Sequence, residues 1–289
     1  MTTTTPPRIL VGYTATPAGE DALAAASALA GSIGARLDVV VVLPMNSRPS
    51  IVPNDPGYDA LLRETAEGWL ADARSRIPDQ VPSRERVVYG DSLAGGILTA
   101  AEAGRAALIV VGAARDGLLG RFTVGSVAGS LLHASPIPVM LAPQGSRETA
   151  APLGRVTGMV GTREGADAVL ATSARLSAAG RAPLRLVSLL ALDLPGLDAA
   201  KARVSEHHAA AVLQEARAAL PDGVEATASV APGDSISHAV ASLDWRPGEV
   251  VVVGSSRLAQ QSRLFLGTTA ATMLRELPVP MIVVPRAAQ

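Results

Sequence analysis

Residues 120–143 read GRFTVGSVAGSLLHASPIPVMLAP, and residues 262–285 read SRLFLGTTAATMLRELPVPMIVVP. Each stretch holds an Arg, a Gly followed by a small hydroxyl residue, and an apolar helical run. Each then passes through Pro-x-Pro into a short apolar segment closed by Pro. A pattern this long, written twice, makes the chain a duplication, and its 289 residues suit two domains of ordinary size.

Outward from the first copy, short β-branched runs alternate with helical ones. RILVGY (8–13) is a strand that ends at a Gly-containing loop. A helix over 17–34 follows, with Pro at its start, acids in its first turn and Gly at its end. ARLDVVVVL (35–43) is apolar nearly throughout, as a strand covered on both faces must be. A helix over 58–77, a strand over 84–90, a helix over 92–104 and strands over 107–112 and 138–142 complete the copy. The second copy repeats the order, with strands at 155–160, 183–190, 224–230, 249–254 and 280–284 and helices near 164–179, 198–220, 234–243 and 268–277. The expected organisation is a disordered tail at 1–7, domains at 8–143 and 155–285, and a polar linker at 144–154.

Strands alternating with helices predict an α/β fold of parallel sheets with helices on both faces and right-handed crossovers. Ligands of such sheets sit beyond the carboxyl ends of the strands where the winding reverses. PIPVMLAP and PVPMIVVP place Pro on both sides of the last strand of each copy, which predicts a sheet edge needing cover.

Composition excludes several functions. There is no Cys, so thiolate catalysis, disulfides and Cys-bound metals are absent. Net charge is −1 and neither half is basic, which argues against nucleic acid. Aromatics at 2% weaken any stacking platform for single strands. No apolar run approaches a membrane span and the start is not a signal peptide, so a cytoplasmic protein is expected.

The loop after the fourth strand carries the chemistry. It holds Gly112, Arg115, Gly125 and Ser126 in the first copy, and Gly254, Arg257, Gly267 and Thr268 in the second, at identical spacing. A Gly at a strand end admits a close ligand. Gly-Ser or Gly-Thr opening a helix offers amides, a hydroxyl and the positive dipole end to a phosphate. The same residues also suit a plain strand-to-helix turn with a hydroxyl cap, and the sequence alone leaves both readings open. No GK[ST] motif occurs, and the single Lys, Lys201, lies in a predicted helix. No GxGxxG follows a first strand and VGSVAG is not GxSxG. Asp91 and Asp234, in two GDS segments, are read as helix caps. His207 and His208 are read as a solvated surface pair, and His133 as a helix end.

These motifs resemble those of the universal stress protein family in its tandem form, over residues 7–143 and 154–285. ATP-binding members are similar in having Gly, two residues, Gly, nine residues, Gly, then Ser or Thr. This chain matches at Gly112, Gly125, Ser126, Gly254, Gly267 and Thr268, and departs at Arg115 and Arg257. Such members also carry an Asp after the first strand, where this chain has Thr14; the second-copy counterpart falls near Val160. The resemblance implies a five-stranded Rossmann-like sheet of order 3-2-1-4-5 in each domain, as in the adenine nucleotide alpha hydrolases. It also implies a non-enzymatic module that binds ATP or AMP, with Mg accompanying ATP. The phosphates would lie on Gly125-Ser126 and Gly267-Thr268, with Gly112 and Gly254 on the ribose side. Thr14 and Val42 would sit near adenine, and Arg115 and Arg257 would clamp phosphate. The departures leave open a scaffold that has lost its nucleotide and acts through protein partners, and also a slow ATPase. Family members pair the last strand between domains, so a pseudo-dimer within the chain is expected, with a homodimer as a further state.

Overall fold

The strands are apolar on both faces because both faces are covered. In β1 (Arg8–Gly12), Ile9 and Val11 enter one buried layer and Leu10 the other. β2 (Arg36–Pro44) alternates in the same way, with Val39 and Val41 on one side and Val40 and Val42 on the other. The computed structural model describes residues 6–45, 56–113, 125–161, 166–191, 199–221, 223–255 and 264–285. The predicted tail lies almost wholly outside them, as do Arg115 and Arg257.

The first half continues with α1 (Pro17–Ile33), α2 (Pro56–Ser75), β3 (Ser83–Gly90), α3 (Leu93–Gly104), β4 (Leu108–Gly112), α4 (Ser126–Ala134) and β5 (Val139–Ala142). A short helix, α5 (Ser146–Thr149), follows. The second half comprises β6 (Arg155–Met159), α6 (Ala166–Gly180), β7 (Leu184–Ala191), α7 (Ala199–Ala218) and β8 (Ala226–Gly233), then α8 (Ile236–Ala241), β9 (Glu249–Gly254), α9 (Thr268–Glu276) and β10 (Met281–Val284).

All ten strands form one sheet, ordered β3-β2-β1-β4-β5-β10-β9-β6-β7-β8. Pairing is parallel within each half. The one antiparallel pair joins β5 to β10, with Ile282 opposite Met140 and Met281 opposite Leu141. The Pro-flanked strands, each the edge of its own half, therefore close on each other at the centre. Leu131, Leu132, Met140, Leu141 and Met281 are buried around this seam.

One strand end needs correction. Strand β8 runs on through Pro232, beyond the predicted end at 230. Pro is tolerated there because β8 is an outer strand, paired only with β7. Within the linker, α5 lies against α1, and Ser146 is buried.

Candidate functional site

Among the described residues, three helices start under a hydroxyl cap. Thr16 Oγ1 accepts from the Gly19 amide at 3.3 Å, Ser92 Oγ from Gly95 at 3.0 Å, and Ser235 Oγ from His238 at 3.2 Å. The two GDS segments are thus capped by their Ser residues rather than by Asp91 and Asp234; the Asp234 carboxylate instead lies 3.5 Å from His238. A Ser one residue later places its hydroxyl over the first turn, which Asp91 and Asp234 precede.

α4 and α9 start differently. Their N-caps are Gly125 and Gly267, whose ψ angles of 158° and 165° are extended, and among the described residues no side chain accepts from the first turn. Ser126 and Thr268 are the first helical residues, so they are not the caps that a plain turn would use. The first-turn amides have no intrahelical acceptor and point along the positive end of the dipole. A helix start of this kind suits an anion.

The remaining site residues lie at the carboxyl ends of the strands. Gly112 ends β4 beside β1, and a Cβ built on it would lie 2.0 Å from the Ala18 carbonyl oxygen. The close approach observed at Gly112 is thus made by the first turn of α1. Gly112→Ala is expected to push α1 away and cost about 1–3 kcal/mol, read from the urea midpoint. Thr14 is exposed, and its hydroxyl is hydrogen-bonded to that of Thr16 at 2.9 Å. Val42 is buried, with its methyl groups against Gly96 of α3. Gly254 ends β9, opposite Val284 of β10.

The backbone also refines the counterpart of Thr14. Tyr13 donates its amide to Val40, and Val160 donates to Val187, both at 2.8 Å. Tyr13 and Val160 are therefore equivalent, and Thr14 corresponds to Gly161. The first half keeps a hydroxyl where relatives of the ATP-binding type have an acid; the second half has none. Burial raises the Tyr13 phenol above its ordinary pKa; Arg76 opposes this, while Glu20 and Asp72 add to it.

The start of α9 leans on the first half. Leu264 donates its amide to the Ser135 carbonyl at 2.9 Å, and the His133 ring meets Phe265 edge-on at 4.8 Å. Ser255 Oγ fixes Phe265 by accepting from its amide at 2.7 Å. The C-terminal end of α4, expected only as a helix end, thus braces the segment leading into α9.

Two buried polar groups escaped the sequence reading. Glu249, fully buried at the start of β9, binds Arg155 at 2.6 Å, Arg185 at 2.8 Å and Thr157 at 2.5 Å. Burial lowers the Arg185 pKa; Glu249 pulls it up and Arg155 pushes it down. Arg185 also lies over the Trp245 ring at 5.2 Å. Asp21, buried in α1, accepts from the amides of Gly145 at 3.1 Å and Arg147 at 2.9 Å, and from the Arg147 guanidinium at 3.3 Å. The available signal was an Arg inside an apolar strand, PLRLVSLL, in a sheet expected to be covered on both faces.

Comparison with known proteins follows the same division of the chain. The model of the universal stress protein family matches residues 6–143 and again 155–285. Universal stress proteins of Mycobacterium tuberculosis and Mycobacterium bovis are 27% identical over 292 aligned positions, covering 96% of this chain and 99% of theirs. A universal stress protein from Archaeoglobus fulgidus superposes with a TM-score of 0.67 at 19% identity, covering 96% of this chain and 98% of its own. A functionally unknown protein from Pseudomonas aeruginosa gives 0.60 at 18% identity, with 98% and 93% covered. At these identities the two structures speak for the fold. No helix among the described residues is long and apolar enough to cross a membrane.

Proposed function

The chain belongs to the universal stress protein family, and from that premise we propose that it is a binding module responsive to an adenine nucleotide, ATP or AMP, rather than a hydrolase. The supporting observation is the contrast between helix starts: hydroxyl caps on α1, α3 and α8, but glycine caps without a side-chain acceptor on α4 and α9. The Gly125-Ser126 and Gly267-Thr268 amides would hold the phosphates, and Arg115 and Arg257 would add charge-assisted bonds. Mg would accompany ATP through the phosphates. Thr14 favours the first half as the one that takes a whole nucleoside, with its hydroxyl toward the sugar. Neither Thr14 nor Gly161 offers a carboxylate to activate water, so this reading contains no hydrolytic step.

Thermal unfolding with ATP, AMP or neither tests it. Nucleotide at 100 times its dissociation constant should add about 2.7 kcal/mol. Ser126→Asp keeps a first turn favourable to the helix while repelling phosphate, and should abolish the shift; Thr268→Asp should leave most of it. Arg115→Gly should weaken binding if the guanidinium is a phosphate ligand. A second reading, a regulatory scaffold acting through protein partners, draws on the missing acid in both halves and on Gly112 being used by α1. Absence of any shift at millimolar ATP would favour that reading.

A further inference from the structure

A cleft of 390 Å³ opens between α1, the linker and the amino ends of β9 and β10, and its lining includes no residue of α4 or α9. The linker creates it. Asp21 holds Gly145 and Arg147, and Ser32 accepts from the Leu153 amide at 2.8 Å, so the linker is fastened to α1 at both ends. Thr149, Ala150 and Ala151 stand between these fastenings as one wall. The opposite wall is the turn before β9. There Gly248 has φ 72°, and its carbonyl accepts from the Gly154 amide at 2.8 Å. A Cβ on Gly248 would lie 2.0 Å from the Pro152 carbonyl oxygen, so this wall too is fitted to the linker. Ala25 and Ala28 leave the α1 side open.

The lining specifies a ligand. Ser146 Oγ donates to the Pro143 carbonyl at 2.7 Å and Thr149 Oγ1 to that of Gly145 at 3.1 Å. Both Glu249 oxygens are engaged by the arginines and Thr157. The ligand's body therefore meets carbon and protein-satisfied polar groups. Beside it, the guanidiniums of Arg155, Arg185 and Arg246 share, among the described residues, the two carboxylates of Asp244 and Glu249, which leaves a cationic surplus. Arg246, on the cleft wall, is the exposed member of this group.

We propose that this interdomain cleft binds an apolar small molecule carrying one acidic group, of the medium-chain or aromatic carboxylate class. Its volume falls within the range of small-molecule sites, and an apolar wall with one charged group fixes both affinity and orientation. The proposal does not depend on nucleotide binding.

Trp245 lines the cleft and is one of only two tryptophans, so Trp69→Phe makes it the sole reporter. In that background, 8-anilinonaphthalene-1-sulfonate should bind saturably, with energy transfer from Trp245. Decanoate should displace it at least about tenfold better than decanol. Ala28→Phe should weaken both the dye and decanoate at least about tenfold, and Arg246→Ala should weaken decanoate but not decanol. Ser126→Asp should change none of these, which keeps the result separate from any failure of the nucleotide reading. Far-UV circular dichroism and thermal melts establish that each variant folds. If Ala28→Phe does not fold, Ala150→Phe, at an exposed wall position, replaces it. Dye binding unaffected by filling the cleft, or absence of saturable binding, overturns the site. Equal displacement by decanoate and decanol overturns the acidic group.

Discussion

Glu249→Ala is expected to cost about 3–5 kcal/mol of folding stability, because it leaves Arg155 and Arg185 buried side by side with no carboxylate between them. Both guanidiniums bind Glu249 within 2.8 Å, and the Arg246 amide donates to the same carboxylate at 3.1 Å. The loss therefore reaches three strands, β6, β7 and β9, and the turn that leads into β9. Urea unfolding should show a lower midpoint with an unchanged slope. Glu249→Gln, which keeps an acceptor but not the charge, should fall between wild type and Ala. A loss below about 1 kcal/mol for Ala, the range of exposed ion pairs, would show that water reaches the group.

Asp21→Ala should be the next most damaging change, at about 3 kcal/mol, since it strands two amides that share one buried carboxylate and leaves the Arg147 guanidinium with only Glu20, Glu148 and the Pro17 carbonyl. Its signature is local. Without Asp21 the Gly145–Arg147 backbone loses its fastening to α1, and trypsin should cut after Arg147 much faster than in wild type. A stability loss with unchanged cleavage there would mean that the packing of α5, and not the carboxylate, seats the linker.

Periodicity and punctuation carried most of the fold into the sequence. Pro17 and Gly34 bracket α1 because a fixed φ suits a first turn and a glycine suits the left-handed cap. The PIPVMLAP and PVPMIVVP segments announced strands short of partners, and β5 and β10 supply them to each other. Less was legible where one polar residue chooses between partners far along the chain. Asp21 looks like an acid in a first helical turn, a common place for one, yet its partners lie 124 and 126 residues away. Ser126 and Thr268 looked equally good as caps or as ligand residues, and one residue of phase removes them from the cap position. The arginines of the Glu249 group sit in strands whose apolar neighbours hid them, since pattern alone does not say which buried charge meets which.

The antiparallel meeting of β5 and β10 has a consequence for assembly. Strands of the two halves run in opposite directions, so the starts of α4 and α9 open on opposite rims of one sheet, and no single nucleotide can span them. The same meeting consumes the apolar margin through which a lone domain would recruit a twin. What is left at the outer borders is β3, studded with Arg84, Glu85 and Arg86, and β8, interrupted by Pro232. Charge and proline both discourage a newcomer strand. The described sheet therefore ends on two borders poorly suited to adding a strand from a second copy of the chain.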